Sequence, residues 1–491
     1  MRQAQPLKTE GAGPDGAPNI VMVMTDQHAA RVMGCAGDEF ARTPVLDKLA
    51  KQGTRFENCY CPSPLCVPSR MAFLTGLEPH ESGVLSNDDY LPSDVPTIAH
   101  SLAGAGYDCH LVGRMHFYGP DQLHGFTNRP IGDIGASFPG GSPPDIGPLT
   151  KGRGNRGPEL EFSGAGETSY QAYDHAVMKE AEATLAHLQR QRAETGRPFF
   201  LLISLFCPHP PYIARRADYD AFDGRLPGPM VSRPDSDHPA IAAWRDAGRT
   251  DGVSPIAVAA SRAAYYGLVQ MVDRLCQGIF DMTEDCKNTV TIYTSDHGEC
   301  LGERGLWWKS VMYDESAKVP LIIRGTAFEP GKQDRRIVSL FDLSATMLSL
   351  GDASPLPGHN GQDLRRQETW PDEVISSYYG GLMNIKLADL RHRMIRKSQY
   401  KLMWFDGYRP QLFDLDKDPQ ELTDLSGDTD HLDILSDLSE QLLRGWDPAL
   451  IAQLQALKGQ RSALIRQWVR VTQPAEPYRW IDPRIDRNAY E

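Results

Sequence analysis

Phe199-Phe200-Leu201-Leu202-Ile203-Ser204-Leu205-Phe206 is an almost wholly apolar run, broken only by Ser204. A strand with one wet face alternates polar and apolar residues. A strand covered on both faces has no such need, so this run reads as the interior of a parallel sheet. Working outward, residues 170–195 before it and 259–282 after it have helical character, and 289–294 is a second buried strand. Nearer the N-terminus, 19–25 is a third. Thr43-Pro44 then opens a helix carrying Leu46, Leu49 and Ala50 on one face, and Gly53 stops it. Pro96 starts another with Ile98, Leu102 and Ala105, ended by Gly106 before a strand at 109–112. This alternation predicts an α/β fold, with a large, mainly parallel sheet sandwiched by helices.

Two stretches break the rhythm, 125–166 and 218–254, both rich in Gly, Pro and Asp. They are expected to be long loops over a site. Beyond residue 350 the pattern changes. Residues 392–405 alternate into Gln411-Leu412-Phe413-Asp414-Leu415, which predicts a small C-terminal antiparallel α+β domain. Helical periodicity returns over 432–471, followed by a Pro- and Arg-containing tail. The expected division is a catalytic domain at 19–355, a small domain at 356–450, and a C-terminal helix and tail at 451–491. Such a tail either packs along the body or reaches a neighbour in a homo-oligomer. We find no internal repeat.

At 491 residues the chain exceeds one ordinary core. Its formal charge of -13 argues against nucleic-acid or anionic-membrane partners, which attract clustered Lys and Arg. No apolar run approaches the roughly 20 residues of a membrane-spanning helix. Residues 1–18 are polar and lack the layout of a secretory signal. Nine cysteines, an odd number without a dense framework, fit a reducing compartment, so a cytoplasmic location is expected.

In open α/β sheets, sites form at the carboxyl ends of strands. Here those ends supply Thr25-Asp26-Gln27-His28, Gly113-Arg114-Met115-His116, Pro208-His209-Pro210-Pro211 and Ser295-Asp296-His297-Gly298. Carboxylates, an amide, imidazoles and a guanidinium together suit a divalent cation beside an anionic substrate. Asp26, Gln27, Asp296 and His297 are the candidate ligands: hard oxygens for Ca²⁺ or Mg²⁺, with an imidazole that also admits Mn²⁺. Singly, an Asp after a strand is more often a helix N-cap; the joint occurrence favours a site.

Cys66 precedes a helix expected to begin at Pro68, so it sits near a helix N-terminus that favours negative charge. A thiolate there is a nucleophile in its own right. Yet Cys66-Val67-Pro68-Ser69-Arg70, continuing through Met71-Ala72-Phe73-Leu74-Thr75-Gly76, also matches the signature read by the formylglycine-generating machinery. With Asp26-Gln27, Gly113-Arg114-Met115-His116, His209-Pro210-Pro211-Tyr212, Asp296-His297-Gly298-Glu299 and Lys309, the chain resembles the type I sulfatases of the alkaline phosphatase superfamily from residue 19 to about 424. Within them, 116–126 looks like the choline-sulfatase and arylsulfatase group.

That resemblance implies an alkaline-phosphatase-like fold and cleavage of small aryl or alkyl sulfate monoesters to alcohol and sulfate. It implies that Cys66 is oxidised by a maturation enzyme to formylglycine (3-oxoalanine). The aldehyde's hydrate attacks sulfur beside one divalent cation, Ca²⁺ first and Mn²⁺ or Mg²⁺ as alternatives. Asp26, Gln27, Cys66, Asp296 and His297 would hold the metal. Arg70 would orient the hydrate and His116 would take its second proton. His209 and Lys309 would serve the leaving oxygen and the sulfate, which Asn87 and Arg114 would also touch. Relatives commonly have Lys at the position of Arg114, and a planar fork is not equivalent to an ammonium. Three other readings stay open: a phosphonate monoester or phosphodiester hydrolase with the same site, a choline sulfatase, and a non-catalytic binder that never matures Cys66.

Overall fold

The computed structural model describes residues 16–142, 156–234, 238–366, 370–380, 390–483 and 489–490. Most of the polar N-terminal segment, the middle of the 125–166 stretch, parts of the small domain and most of the last residues of the tail therefore lie outside the described residues. Eight strands form the main sheet: β1 (Asn19–Asp26), β2 (Thr54–Tyr60), β3 (Asp108–Gly113), β4 (Phe199–Pro208), β5 (Thr289–Ser295), β6 (Lys318–Val319), β7 (Leu321–Arg324) and β8 (Gln333–Ser339). Their order is β8-β2-β7-β5-β1-β4-β3, with β6 paired to β2. The β1 strand runs parallel to both β4 and β5, placing Met22 beside Leu202 and Ile292. The β3–β4 and β2–β8 pairs are parallel too, and β7 runs antiparallel to β2 and β5. Every residue of β1, β4 and β5 is buried.

The helices α1 (Pro44–Gln52), α2 (Cys66–Thr75), α3 (Ile98–Gly104), α4 (Ser169–Thr195), α5 (Pro255–Glu284) and α6 (Leu340–Leu350) cover the sheet. Alternate residues of each strand divide between two cores. Val21, Val23, Leu201 and Ile203 meet α1, α4 and α5, whereas Ile20, Met22, Phe200 and Leu202 meet α2, α3 and α6. This two-sided burial removes polar alternation from β4. A second sheet, β9 (Glu373–Tyr378), β10 (His392–Lys397), β11 (Tyr400–Phe405) and β12 (Gln411–Asp414), is antiparallel throughout. It packs Ile395, Leu402 and Leu412 against Leu438 and Leu442 of α7 (Leu432–Leu443).

Several boundaries differ from expectation for identifiable reasons. The 218–254 stretch is not loop throughout, because Pro239–Gly248 is a helix with Trp244 buried on its inner face. The helical span 432–471 is two helices, α7 and α8 (Pro448–Thr472), divided at Gly445 with φ 73°. Gly53 ends α1 in an extended conformation; a Cβ there would lie 2.3 Å from the Ile323 carbonyl oxygen, so close strand approach demands the glycine. The α2 helix begins at Cys66, two residues before the expected Pro68. The first four N–H groups of a helix have no intrahelical partner, so proline is tolerated at its third position. The described tail packs on the body: Trp480 donates its N–H to the Asp133 carbonyl at 2.9 Å and its ring meets Tyr173 edge-on. Among the described residues no helix is long and apolar enough to cross a membrane.

Candidate active site

The carboxyl ends of β1, β3, β4 and β5 meet the first turn of α2. One ligand atom each from Asp26, Cys66, Asp296 and His297 lies within 4.8 Å of the others, and all four residues are buried. The Cys66 Sγ is 3.2 Å from His297 Nε2, 3.4 Å from Lys309 Nζ and 3.6 Å from Asp26 Oδ1. Gln27 turns its backbone to φ 74°, a costly conformation for a side-chain-bearing residue. Its N–H then donates to Asp296 Oδ1 at 3.1 Å, and its side-chain oxygen accepts from Lys309 Nζ.

Arg70 sits beneath this cluster with no exposed surface. Its Nε donates to Asp296 Oδ2 at 2.8 Å, its Nη2 to Asp26 Oδ2 at 3.2 Å, and its Nη1 to Ser204 Oγ and the Arg114 carbonyl at 2.8 and 3.0 Å. Arg114 occupies the other side of Asp26, with Nε 2.8 Å from Oδ2 and Nη2 3.0 Å from His116 Nδ1; its guanidinium covers the Phe206 ring. One guanidinium thus locks two carboxylates and a second locks one of them to an imidazole. Removing one partner from such a buried pair typically costs about 3–5 kcal/mol.

His116 adopts φ 61° and is held there by its N–H donating to Asp133 Oδ2 at 2.9 Å. His209 lies at the end of β4, its Nδ1 2.8 Å from the Pro210 carbonyl and its ring edge-on to Phe206. Asn87 Oδ1 accepts the Val67 N–H at 3.0 Å and so supports the first turn of α2.

Electrostatics follows burial and neighbours. Burial would raise the Asp26 carboxyl, but the Arg114 and Arg70 guanidiniums and the Lys309 ammonium around it hold it well below the usual range. Burial and Asp26 push the Cys66 thiol up to about 11 against the pull of Lys309, so the encoded thiol stays protonated at neutral pH. Burial, reinforced by Arg114, lowers His116 to about 3. His209 is lowered well below an ordinary imidazole by burial and Lys309. Both imidazoles are therefore neutral at ordinary pH.

Four residues of the surroundings escaped the sequence reading. Glu299 accepts from the Gln27 amide, from Tyr212 OH at 2.6 Å and from the Leu301 and Trp308 N–H groups at 2.7 Å, fixing which end of the Gln27 amide faces Lys309. Tyr212 and Glu299 lie inside the motifs at 209 and 296 but had no role assigned to them. Ser204 was visible as the lone polar residue of β4. Asp133, which also receives Arg129 Nη2 at 2.6 Å, lies in a stretch without periodicity and gave no signal.

A profile of the sulfatase family matches residues 18–353, and one for the C-terminal part of N-sulphoglucosamine sulphohydrolase matches 302–446. A choline-sulfatase of Rhizobium meliloti is 33% identical over 445 residues, covering 84% of this chain and 83% of that protein. An arylsulfatase of Clostridium perfringens is 28% identical over 464 residues, covering 87% and 94%. Among solved structures, the phosphonate monoester hydrolase of Agrobacterium radiobacter superposes with TM-score 0.71 at 22% identity, covering 89% of this chain and 96% of that one. A 2-O GAG sulfatase does so at 0.68 and 22%, covering 88% and 92%. The structural matches speak for the fold alone.

Proposed function

Given that this chain belongs to the sulfatase family and is therefore an enzyme hydrolysing sulfate esters, we propose that it cleaves small aryl or alkyl sulfate monoesters with a hydrated formylglycine, made from Cys66, as nucleophile. The observation that carries this reading is the setting of Cys66. Its sulfur occupies the first residue of a buried helix and touches a carboxylate, an imidazole and an ammonium at once.

Asp26, Asp296 and His297 fit a divalent cation: two carboxylates and an imidazole converge with Cys66, and Arg70 holds both carboxylates in place; Gln27, whose side-chain oxygen accepts from Lys309, is the further ligand in this reading. Oxygen donors favour Ca²⁺, with Mn²⁺ or Mg²⁺ as alternatives. When bound, the cation supplies positive charge that favours ionised oxygen nucleophiles and anionic substrates. Lys309 and Arg114 add fixed positive charge for the sulfate oxygens. His116, neutral and anchored by Asp133, takes a proton from the nucleophile during release of sulfate. His209 and Lys309 serve the departing oxygen, and Asn87 orders the turn that carries residue 66.

These roles group the chemistry in residues 19–355, with 356–450 and 451–491 as flanking units. Nine free cysteines suit a reducing, cytoplasmic setting. Mass spectrometry of the Cys66 peptide from the native host should show an aldehyde or its hydrate, and turnover should favour an aryl sulfate over its phenyl phosphonate analogue. A persistent thiol in active enzyme, or a large phosphonate preference, would overturn the proposal. A second reading, choline sulfate as substrate, is favoured by the choline-sulfatase relative and by the rings of His116, Tyr118 and Tyr90, spaced 5.5 and 6.2 Å apart beside the site. Comparing kcat/KM for choline sulfate and nitrophenyl sulfate decides it.

A further inference from the structure

The β4 strand leaves its ladder just before it delivers His209. Ser204 stands opposite Met24 of β1 and Gly113 of β3, but the next β1 pairing is Pro208 with Asp26. Four steps of β4 thus match two of β1. This is a bulge, and bulges beside a site re-aim the residues that follow. The amides it frees are buried and need acceptors. Asp174 of α4 takes two of them: Oδ1 accepts the Phe206 N–H at 2.7 Å and Oδ2 the Cys207 N–H at 2.8 Å. The Phe206 carbonyl in turn accepts the His209 N–H at 3.2 Å. Pro208, Pro210 and Pro211 have no N–H to give. Every N–H of residues 206–211 therefore ends on Asp174 or within the turn itself.

Asp174 is the only charged side chain among the buried residues of α4, on a helix that otherwise buries Tyr173, Val177, Ala181 and Leu185. An apolar residue would pack α4 onto β4 without burying a carboxylate. What the carboxylate adds is a fixed point for the turn, and the Phe206 ring carries it forward. Tyr170 stacks on that ring at 3.9 Å, the Arg114 guanidinium covers it at 4.9 Å, and His209 meets it edge-on at 4.8 Å. We propose that Asp174 is a positioning residue that aims His209 at the departing oxygen through the backbone and ring of Phe206. The inference rests on the role proposed above for His209.

The neighbours of Phe206 decide which group depends on it. Arg114 is held independently, by Asp26 at 2.8 Å and by His116 at 3.0 Å. The side chain of His209 has the Phe206 ring and the Pro210 carbonyl of its own turn. A carbonyl only accepts, so Nδ1 carries the proton and Nε2 is the atom left for substrate. A shift of the turn therefore falls on His209 rather than on the groups that face sulfate. Negative charge gathers on the departing oxygen, and more of it when the leaving group is poor. A misplaced His209 thus slows phenyl sulfate far more than dinitrophenyl sulfate, whereas a contact that only holds the fold together slows both alike.

The test compares kcat/KM of the full, matured chain on these two esters. Asp174→Asn keeps the volume but turns an N–H donor toward one of the two amides. It should lower the phenyl sulfate value by about 100-fold and the dinitrophenyl value much less. His209→Ala should show the same split, and the double variant should be no slower on phenyl sulfate than His209→Ala alone, because residues acting through one chain of contacts are not additive. Tyr170→Leu removes the stacked ring and leaves the Asp174 hydrogen bonds in place. It should show the split in weaker form, and it carries the test if Asp174→Asn does not fold. Equal slowing of both esters by these variants, with the split kept in His209→Ala, overturns the inference and leaves the role of His209 standing. An absence of the split in His209→Ala overturns both.

Discussion

Among the groups of buried charge in the described residues, two are built differently. Between the two sheets, Lys401 Nζ is 2.8 Å from both Asp314 Oδ1 and Glu421 Oε1, while Arg304 pairs with Glu315 at 2.7 Å. Each cation there has its carboxylate, and the set closes on itself. At the strand ends, Arg70 and Arg114 occupy only the rear oxygens of Asp26 and Asp296; the remaining donors converge with Cys66 and His297 on one point. Burial of charge alone therefore marks no site. What separates site from clamp is whether the ligand atoms are consumed by one another or directed together.

The comparison breaks first on Cys66. Cys66→Ala should lower aryl-sulfate turnover by on the order of 10⁵-fold or more while leaving the thermal midpoint within a degree or two; substantial residual turnover would refute the nucleophile. At the clamp the reverse holds. Lys401→Met leaves two carboxylates facing each other and should cost about 3–5 kcal/mol of stability in denaturant unfolding, with kcat per folded chain unchanged. A third test exploits the convergent donors: adding Ca²⁺ or Mn²⁺ to chelated protein at about a hundred times its Kd should stabilise it by about 2.7 kcal/mol, measured calorimetrically. Asp296→Asn should weaken that gain, and Lys401→Met should not.

A finer test concerns Asp133, which reaches the site only through others. Its carboxylate holds the His116 N–H and Arg129, and stands 3.5 Å from Arg114 Nη1. Asp133→Asn should relax His116 from its positive φ and reduce kcat by about 10–100-fold with little change in KM. A loss confined to KM would assign Asp133 to substrate binding instead.

What was legible in the sequence follows from the same physics. Strand ends cluster because a parallel sheet brings them together, so Asp26, Asp296 and His297 could be associated from topology, and the Phe199 run could be placed because two covered faces leave a compositional trace. Ser204 is the one interruption in that run, and it is there for Arg70. Asp133 and Glu299 could not be read, since each acts through backbone N–H groups and side chains that only the folded chain brings near. The helix at Pro239–Gly248 was hidden by the Gly, Pro and Asp around it, although Ile241 and Trp244 are buried one turn apart.

The smallest expected effect is a pH dependence that belongs to the clamp and not to the site. Burial, with Asp314 and Glu315 nearby, raises Glu421 from an ordinary glutamate to about 7 despite Lys401, whereas Lys401, Lys318 and Arg396 keep Asp314 ionised. A carboxyl with a raised folded pKa binds more protons folded than unfolded between about 4.5 and 7. Its contribution to stability is then complete below the unfolded value and fades as pH rises through the folded one. Glu421→Gln removes that titration while keeping the shape. The thermal midpoint of wild type minus that of the variant should therefore fall by a few degrees between pH 5 and pH 8, and turnover at fixed pH should not distinguish the two. A difference that stays flat across this range would mean that Lys401 holds Glu421 ionised throughout, making the clamp a fixed ion pair.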